Sequence, residues 1–218
     1  PCDLSVEIVD GTGADFNLIT NGDGTDLEDP LGRYTLTNDF YIMTTEVTQG
    51  MFGELMGYEA TDGQDTGYGD GEDYPAYYVN WHMSADFANA LSVLDGLDEC
   101  YACTGSGTSV VCGMESGLVS MYGCSGYRLP TEAEWELASR SGTASEFWTD
   151  GGEDLGGDAS NAEGCTGAET IADGSEEPLF GDYAWYCGNA GSAQPVAQLL
   201  PNAFGLYDLH GNLFEWVD

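Results

Sequence analysis

The sequence predicts an α+β domain, and three features point to that class. Three short segments begin with a helix-capping residue and end near a glycine or a long loop, at 48–57, 80–94 and 131–142. A few short segments show the polar–apolar alternation of strands. Stretches rich in glycine and aspartate, which favour turns and loops, fill most of the remainder. The chain has 218 residues, which fits a single domain with long loops over 1–218.

Two segments alternate polar and apolar residues, LSVEIV at 4–9 and YTLTNDFYI at 34–42, and each predicts a strand. The segment CYACTGSGTSVVC at 100–112 predicts a hairpin with GSG at its tip. The sequence NGDGTD at 21–26 begins like a calcium loop, but the glycine and the closing glutamate of such a loop are missing. A solvated turn is the favoured interpretation of 21–26.

Capping residues define the first two predicted helices. Thr48 caps the first, and Gly57 can end it. Asn80 caps the second, which we expect to run to about Leu94. Apolar residues at helical spacing predict a core-facing side on each helix. These residues are Met51, Phe52, Leu55 and Met56 in the first helix, and Phe87, Ala88, Leu91 and Leu94 in the second.

The third predicted helix has the clearest boundaries. Thr131 and Glu134 form a capping box, in which each side chain binds the other residue's backbone N–H. Gly142 can end the helix. We expect Trp135 and Ala138 to face inward.

The charge balance is extreme, with 39 acidic and 3 basic residues and a net charge of −36. Such a chain repels phosphate backbones and anionic membrane surfaces, which argues against nucleic acid as a partner. Self-repulsion destabilises a compact chain unless cations screen it. A salty medium or millimolar calcium would supply those cations. The bulk charge alone does not distinguish salt adaptation from specific calcium sites.

No catalytic constellation stands out in the sequence. The two histidines are His82, in the first turn of the second helix, and His210, and neither has a second histidine or a cysteine at metal-ligand spacing. The sequence has no nucleophile elbow, and its carboxylates are too numerous for one pair to be singled out. No apolar stretch is long enough to span a membrane.

Four strings, in order along the chain, resemble a known family. They are FYIMTTEVTQGMF at 40–52, YPAYYVNWHMSADFANAL at 74–91, YRLPTEAEWELASRSG at 127–142 and PVAQLLPNAFGLYDLHGNLFEWV at 195–217. They resemble the formylglycine-generating-enzyme, or sulfatase-modifying factor, family of the secreted bacterial type, incomplete at the C-terminus. The resemblance implies a loop-rich variant of the C-type-lectin-like fold with short antiparallel strands. It also marks the cysteine hairpin at 96–126 as an insertion.

The resemblance further implies a bound calcium ion. Its ligands would be the side chains of Asp208 and Glu215 and the backbone carbonyls of Gly211 and Leu213. Ligand chemistry agrees, because calcium prefers carboxylate and carbonyl oxygen and glycine lets the backbone bend around the ion. The alternative is that Asp208 and Glu215 only cap turns. The family's other calcium site is not carried over, because the loop 188–194 is short and offers only Asn189 as a remnant ligand.

Catalysis in this family uses copper(I) and oxygen to oxidise a sulfatase cysteine to formylglycine. The copper-binding cysteine pair lies downstream of the EWV string, and here that string is followed only by Asp218. Phe214 also replaces a family tryptophan. Two hypotheses follow. The chain is a non-catalytic, calcium-binding module for binding or assembly, or it is a fragment of a copper-dependent oxidase whose cysteines would lie past Asp218.

The seven cysteines favour an oxidising compartment, so we expect an extracellular, periplasmic or cell-surface location. The cluster of Cys100, Cys103, Cys112 and Cys124 allows a zinc site, a reactive dithiol or two disulfides in three connectivities. We predict Cys103–Cys112 across the hairpin and Cys100–Cys124. We also predict that a Cys165–Cys187 disulfide holds the long acidic loop at 143–184. This leaves Cys2 unpaired or bonded to a partner.

Expected partners are a protein or glycan surface, or further copies of the chain.

Overall fold

The computed structural model describes residues 15–20, 23–25, 33–61, 67–141 and 180–218. Its strands are β1 Phe16–Ile19, β2 Asp23–Thr25, β3 Arg33–Thr35, β4 Phe40–Met43, β5 Tyr101–Thr104 and β6 Val111–Met114. Its helices are α1 Gln49–Met56, α2 Trp81–Asp95 and α3 Glu132–Arg140. Short 3-10 turns lie at Gly107–Ser109, Met121–Gly123 and Phe180–Asp182. The predicted α+β class, with three short helices and short antiparallel strands, is confirmed.

The strands pair as three antiparallel two-stranded sheets within the described ranges: β1 with β4, β2 with β3, and β5 with β6. The single strand predicted at 34–42 is wrong. Residues 36–39 interrupt it, because β3 and β4 pair with different partners. The turn predicted at 21–26 is also wrong in part, since 23–25 pair with β3 as strand β2. The strand predicted at 4–9 lies outside the described residues.

The caps of α1 and α2 are confirmed. The Thr48 hydroxyl accepts a hydrogen bond from the Met51 N–H at 3.2 Å, and Gly57 ends α1 in the left-handed region. The Asn80 side chain accepts from the Met83 N–H at 3.1 Å. Helix α2 continues one residue past Leu94, which is 49% exposed rather than buried as predicted, because the core no longer covers the last turn.

Helix α3 has both halves of the predicted capping box. Thr131 Oγ1 accepts from the Glu134 N–H, and Glu134 Oε2 accepts from the Thr131 N–H. The last helical residue is Arg140, and Ser141 caps the helix in the left-handed region at φ 50°, one residue before the predicted Gly142. Ala138 is fully buried, as expected, whereas Trp135 is only partly buried.

Two apolar clusters make up the core of the described residues. The larger lies between α1, α2 and the β5–β6 hairpin, and its largest members are Phe52, Met83, Phe87, Leu91, Tyr101 and Val110. The smaller joins β1, α3 and residues 183–218, here called the final loop. Its members are Ile19, Leu36, Leu137, Ala138 and Leu206. The final loop is therefore fixed to the body of the domain by α3.

The predicted disulfides Cys100–Cys124 and Cys103–Cys112 are confirmed. Cys103 and Cys112 are direct cross-strand partners in the hairpin. Cys187 is also disulfide-bonded, and its predicted partner Cys165 lies outside the described residues, as does Cys2. All five described cysteines are thus oxidised, so the zinc and reactive-dithiol alternatives at 100–124 are wrong. In the described ranges, no helix has the length and apolar character needed to cross a membrane.

Candidate metal centre and adjoining cavity

The string YDLHGN folds into a tight turn with unusual backbone angles. Asp208 and Asn212 are left-handed, at φ 60° and 57°, a conformation that aspartate and asparagine adopt more readily than most residues. Gly211 has φ 113°, and a Cβ there would collide with the carbonyl oxygen of Trp185. Only glycine fits this position. The predicted ligands Asp208, Gly211, Leu213 and Glu215 all lie in the eight residues 208–215, which contain this turn.

Asp208 is a buried carboxylate with one oxygen unsatisfied. The residue is 2% exposed, and its Oδ2 accepts a hydrogen bond from the Ala197 N–H at 2.7 Å. Its Oδ1 is buried and has no hydrogen-bond partner among the residues that the structure describes. Burial raises the pKa of Asp208 above its ordinary value. Because burying an unpaired acceptor of this kind is unfavourable, the Oδ1 atom marks a position where a cation would stabilise the fold.

Glu215 is the second carboxylate of the predicted site. Its Oε2 accepts from the indole Nε1–H of Trp135 at 2.8 Å. Glu215 is an exposed residue, and the protein atoms that pack around its carboxylate desolvate it enough to raise its pKa to about 7. The hydrogen bond from Trp135 opposes the shift, and the negative charge of Asp208 adds to it.

A third carboxylate, Glu46, was not identified as a site residue from the sequence. Its Oε2 accepts from Asn212 Nδ2 at 2.6 Å, and its Oε1 accepts from the Leu213 N–H at 3.2 Å. Burial raises its pKa to about 9, and the charges of Glu215 and Asp208 contribute. Glu46 lies in the string FYIMTTEVTQGMF, but it is 166 residues from Asn212. No local pattern connects the two.

No described arginine neutralises these three acids. The two arginine side chains that the structure describes, Arg128 and Arg140, form ion pairs with Glu134 and Glu136. His210 does not compensate either, because burial and the charge of Arg140 lower its pKa to about 4. The cluster of Glu46, Asp208 and Glu215, here called the acid cluster, is therefore rich in acceptors and poor in positive charge.

A donor set of carboxylate and carbonyl oxygens is the kind that calcium takes. Asp208, Glu215 and the carbonyls of Gly211 and Leu213 belong to this chemical type, and the buried Oδ1 of Asp208, which accepts no hydrogen bond from the described residues, fits the role of a cation ligand. In the described part of the chain, the three residues that bring metal-capable atoms within 4.8 Å of one another are Asp86, Cys103 and Cys112, and the three carboxylates of the acid cluster do not lie that close together. That set is unsuitable, because its two cysteines form a disulfide.

His82 has a structural role. Its Nδ1 accepts a hydrogen bond from the Cys112 N–H at 3.2 Å, and its ring contacts that of Trp81 edge-on. This ties the start of α2 to strand β6 and leaves Nδ1 occupied. The structure therefore gives His82 no place in the acid cluster.

A cavity of about 1100 Å³ adjoins the acid cluster. Strand β4, helix α2 and the final loop provide much of its wall, and Glu46 and Glu215 both line it. Its apolar lining includes Phe40, Ile42, Phe52, Phe87, Leu91 and Leu209, while Asp39 and Asp95 add acidic groups. The cavity therefore combines an apolar interior with negative charge.

Two aromatic residues of the cavity wall are open to solvent. Phe214 is fully exposed, and Trp216 is 49% exposed. The indole Nε1–H of Trp216 donates to the Val79 carbonyl at 2.9 Å, which holds that ring against the segment before α2. Exposed aromatic groups beside an apolar cavity are typical of a surface that binds another molecule.

Comparison with known proteins identifies the family. Residues 8–218 match the model of the sulfatase-modifying factor enzyme 1-like domain. The chain is 31% identical over 190 residues to the chaperone protein LppX of Paenibacillus barcinonensis, covering 82% of this chain and 61% of that protein. It is 36% identical over 93 residues to the formylglycine-generating enzyme of Mycobacterium tuberculosis, covering 42% of this chain and 27% of the enzyme.

Solved structures show the same fold. Treponema denticola variable protein 1 superimposes with a TM-score of 0.65 at 25% identity, covering 94% of this chain and 72% of the other. The crystal structure of CarF gives a TM-score of 0.59 at 24% identity, covering 95% of this chain and 81% of the other. These likenesses concern the fold, and the chain spans less than two thirds of both LppX and the M. tuberculosis enzyme.

Proposed function

This chain belongs to the sulfatase-modifying factor enzyme 1-like, or formylglycine-generating-enzyme, family, and from that premise we propose that it is an extracellular, calcium-binding module that binds polypeptides without catalysing a reaction. The acid cluster carries the proposal, because it groups three carboxylates of raised pKa, with Asp208 buried, and neither Arg128 nor Arg140 pairs with them. The disulfides support an oxidising location outside the cytoplasm.

In this proposal, Asp208 and Glu215 supply the anionic ligands, and the carbonyls of Gly211 and Leu213 complete the protein's share of the coordination. A bound calcium ion would supply the positive charge that the cluster lacks. It would also give Asp208 Oδ1 a partner. The ion's contribution is structural: it fixes the final loop, which forms part of the cavity wall.

Calcium should therefore stabilise the folded protein. An ion that binds only the folded state contributes about 2.7 kcal/mol at a concentration one hundred times its dissociation constant. We expect the melting temperature to rise with calcium and to fall in chelator, and we expect Glu215→Gln to lose most of this response. Differential scanning calorimetry with and without calcium measures the effect.

The matched control is Glu54→Gln, which removes one charge from an exposed position on α1. It should respond to calcium like the wild type. A wild-type melting temperature that is the same in calcium and in chelator would refute the calcium site.

The binding role is supported by the cavity. An apolar interior with acidic groups complements a polypeptide segment that carries both apolar and basic side chains. The name of the LppX relative, a chaperone protein, agrees with a role in binding other proteins. A non-catalytic role also fits the five described cysteines, all of which are in disulfides.

A peptide titration tests this role. A labelled peptide of alternating phenylalanine and lysine should bind, and the same peptide with glutamate in place of lysine should not. Phe214→Ser should weaken binding without affecting the fold, because Phe214 is fully exposed. Val119→Ser is the matched control, since Val119 is equally exposed and lies outside the cavity wall.

Fluorescence anisotropy gives the affinities, and sedimentation velocity shows whether copies of the chain associate. Equal binding of the two peptides would refute the charge complementarity. Association of copies that Phe214→Ser abolishes would assign the surface to self-assembly.

The second candidate is a fragment of a copper-dependent oxidase, favoured by the match to the M. tuberculosis formylglycine-generating enzyme. Copper(I) requires soft thiolate ligands, and the described cysteines are all oxidised. We therefore expect no aldehyde when this chain is incubated with copper(I), oxygen and a sulfatase-type cysteine peptide. Copper-dependent aldehyde formation, followed by mass, would establish the oxidase instead.

A further inference from the structure

We propose that Glu46 is a positioning residue for residues 208–215, here called the calcium loop. Its carboxylate holds the Asn212–Leu213 peptide so that the carbonyls of Gly211 and Leu213 face the ion. This inference rests on the proposed calcium site and adds a residue from the other end of the chain. It assigns Glu46 to the loop's geometry rather than to direct coordination.

Both oxygens of Glu46 already accept hydrogen bonds from the loop. Oε2 accepts from Asn212 Nδ2 at 2.6 Å, and Oε1 accepts from the Leu213 N–H at 3.2 Å. The two donors, the side-chain amide of Asn212 and the backbone N–H of Leu213, come from consecutive residues, so the carboxylate holds one short piece of the loop. A carboxylate is suited to this, since it is acceptor-only and has an oxygen for each donor.

The Glu46 carboxylate acts on a backbone that would not hold its shape unaided. Asn212 is left-handed at φ 57°. Its side-chain Oδ1 accepts from the Gln194 N–H at 2.8 Å, and its own N–H donates to the Trp185 carbonyl at 3.0 Å. Because the N–H and C=O of one peptide unit point in opposite directions, the bond to Trp185 turns the Gly211 carbonyl away from Trp185. Glu46 fixes the following peptide unit, which consists of the Asn212 carbonyl and the Leu213 N–H and lies between the two carbonyls of the proposed site.

Glu46 is itself held by the scaffold. It lies between β4 and the Thr48 cap of α1, and its neighbours are bonded on both sides. The Tyr207 N–H donates to the Thr44 carbonyl at 2.9 Å, and the Ala76 N–H donates to the Val47 carbonyl at 2.8 Å. Glu46 therefore connects the calcium loop to β4 and α1, two regular elements near the start of the chain. A precise metal site requires support of this kind.

The test is metal binding by wild type and Glu46→Gln, followed by calcium titration and by terbium luminescence. Glutamine keeps one acceptor but places an NH₂ group against the other donor, so one of the two contacts becomes repulsive. Loss of such outer partners typically weakens metal binding about 10- to 100-fold. We expect a loss in this range for Glu46→Gln and none for Glu54→Gln, which makes the same chemical change at an exposed position of α1.

Terbium lifetimes in H₂O and D₂O count the waters on the ion and separate positioning from ligation. A positioning role predicts the same number of bound waters in wild type and Glu46→Gln. One additional water in the variant would make Glu46 a ligand and overturn the inference. If Glu46→Gln does not fold, Glu46→Asp replaces it: the charge is kept, the reach is too short for both donors, and the same weakening is expected.

The two proposals fail differently. If wild type binds neither calcium nor terbium, the calcium site and the role of Glu46 are both refuted. If wild type binds and Glu46→Gln or Glu46→Asp binds equally well, the calcium site stands and the positioning role is refuted.

Discussion

Helix α3 carries the buried carboxylate Glu134 and also contacts the acid cluster, and the protein treats the two in opposite ways. Glu134 is completely buried and receives two hydrogen bonds from the Arg128 guanidinium, both at 2.7 Å. Burial alone would raise its pKa, but the hydrogen bonds from Arg128 and the Thr131 backbone outweigh burial and lower it. This carboxylate is stabilised in its charged form by groups of the chain itself.

Neither of the two described arginine side chains pairs with the acid cluster. Its three pKa values are all raised, chiefly by burial. Its contact with α3 is the hydrogen bond from Trp135 to Glu215, one residue after Glu134. Two consecutive residues of α3 thus have different partners. Glu134 pairs with Arg128, and Trp135 donates a hydrogen bond to the negatively charged acid cluster. Glu134 and Arg128 thus neutralise each other without any added group, whereas the acid cluster keeps the negative charge that the proposed calcium ion would neutralise.

The largest expected effect separates the neutralised pair from an ordinary ion pair on the same helix. Glu134→Gln removes the paired carboxylate from the mostly buried Arg128 and leaves it only the charge of Asp218. Breaking a buried ion pair from one side typically destabilises a protein by about 3–5 kcal/mol. Glu136→Gln makes the same substitution two residues later and breaks only the pair with Arg140 four residues on, at a typical cost of about 0.5 kcal/mol. Urea unfolding in chelator gives both values. Equal losses for the two variants would remove the distinction.

The next effect is the pH dependence of that loss. The folded-state pKa of Glu134 lies below its ordinary value of 4.5, so the unfolded state binds the proton more readily. The stabilisation is therefore fully present above pH 4.5 and is lost as the pH falls through the folded pKa. The difference in unfolding free energy between wild type and Glu134→Gln, measured by urea unfolding, should become smaller as the pH falls below 4.5. A gap that widens on acidification would mean that the carboxylate is not stabilised as an anion.

The sequence predicted the features that depend on near neighbours. The capping box of Thr131 and Glu134 is a three-residue signal, and the bond Cys103–Cys112 follows from facing positions in a short hairpin. The class of the fold was likewise predictable, because each helix carries its own cap. The site residues Asp208 and Glu215 were named from a resemblance, and their calcium ion stays a prediction.

What the sequence did not predict depends on contacts between distant parts of the chain. Glu46 joins the acid cluster only because β4 and the final loop meet in three dimensions. The break after β3 arises because β3 pairs with β2, while β4 pairs with β1. Leu94 has the spacing of a core residue, yet the neighbouring elements do not cover it. No local periodicity encodes which element lies opposite another.

The smallest expected effect concerns the single bond from α3 to the acid cluster. Trp135→Phe keeps an aromatic ring on α3 but removes the Nε1–H donor to Glu215. A hydrogen bond to a charged group contributes about 1.5–3 kcal/mol when enclosed, and the partial solvent access of Glu215 reduces the expected loss in chelator to about 1 kcal/mol. Because Trp135 also orients this carboxylate, calcium affinity should fall a few-fold in an isothermal titration.

Trp216→Phe is the control for this last effect, since it removes an indole donor to the neutral carbonyl of Val79. It should leave calcium affinity unchanged, because Val79 belongs to neither carboxylate group. If the two variants alter calcium binding equally, the bond from Trp135 is not specific to the ion's site, and α3 does not join the two groups. If only Trp135→Phe weakens binding, one helix holds both the carboxylate that the chain neutralises and the carboxylate that an ion must neutralise.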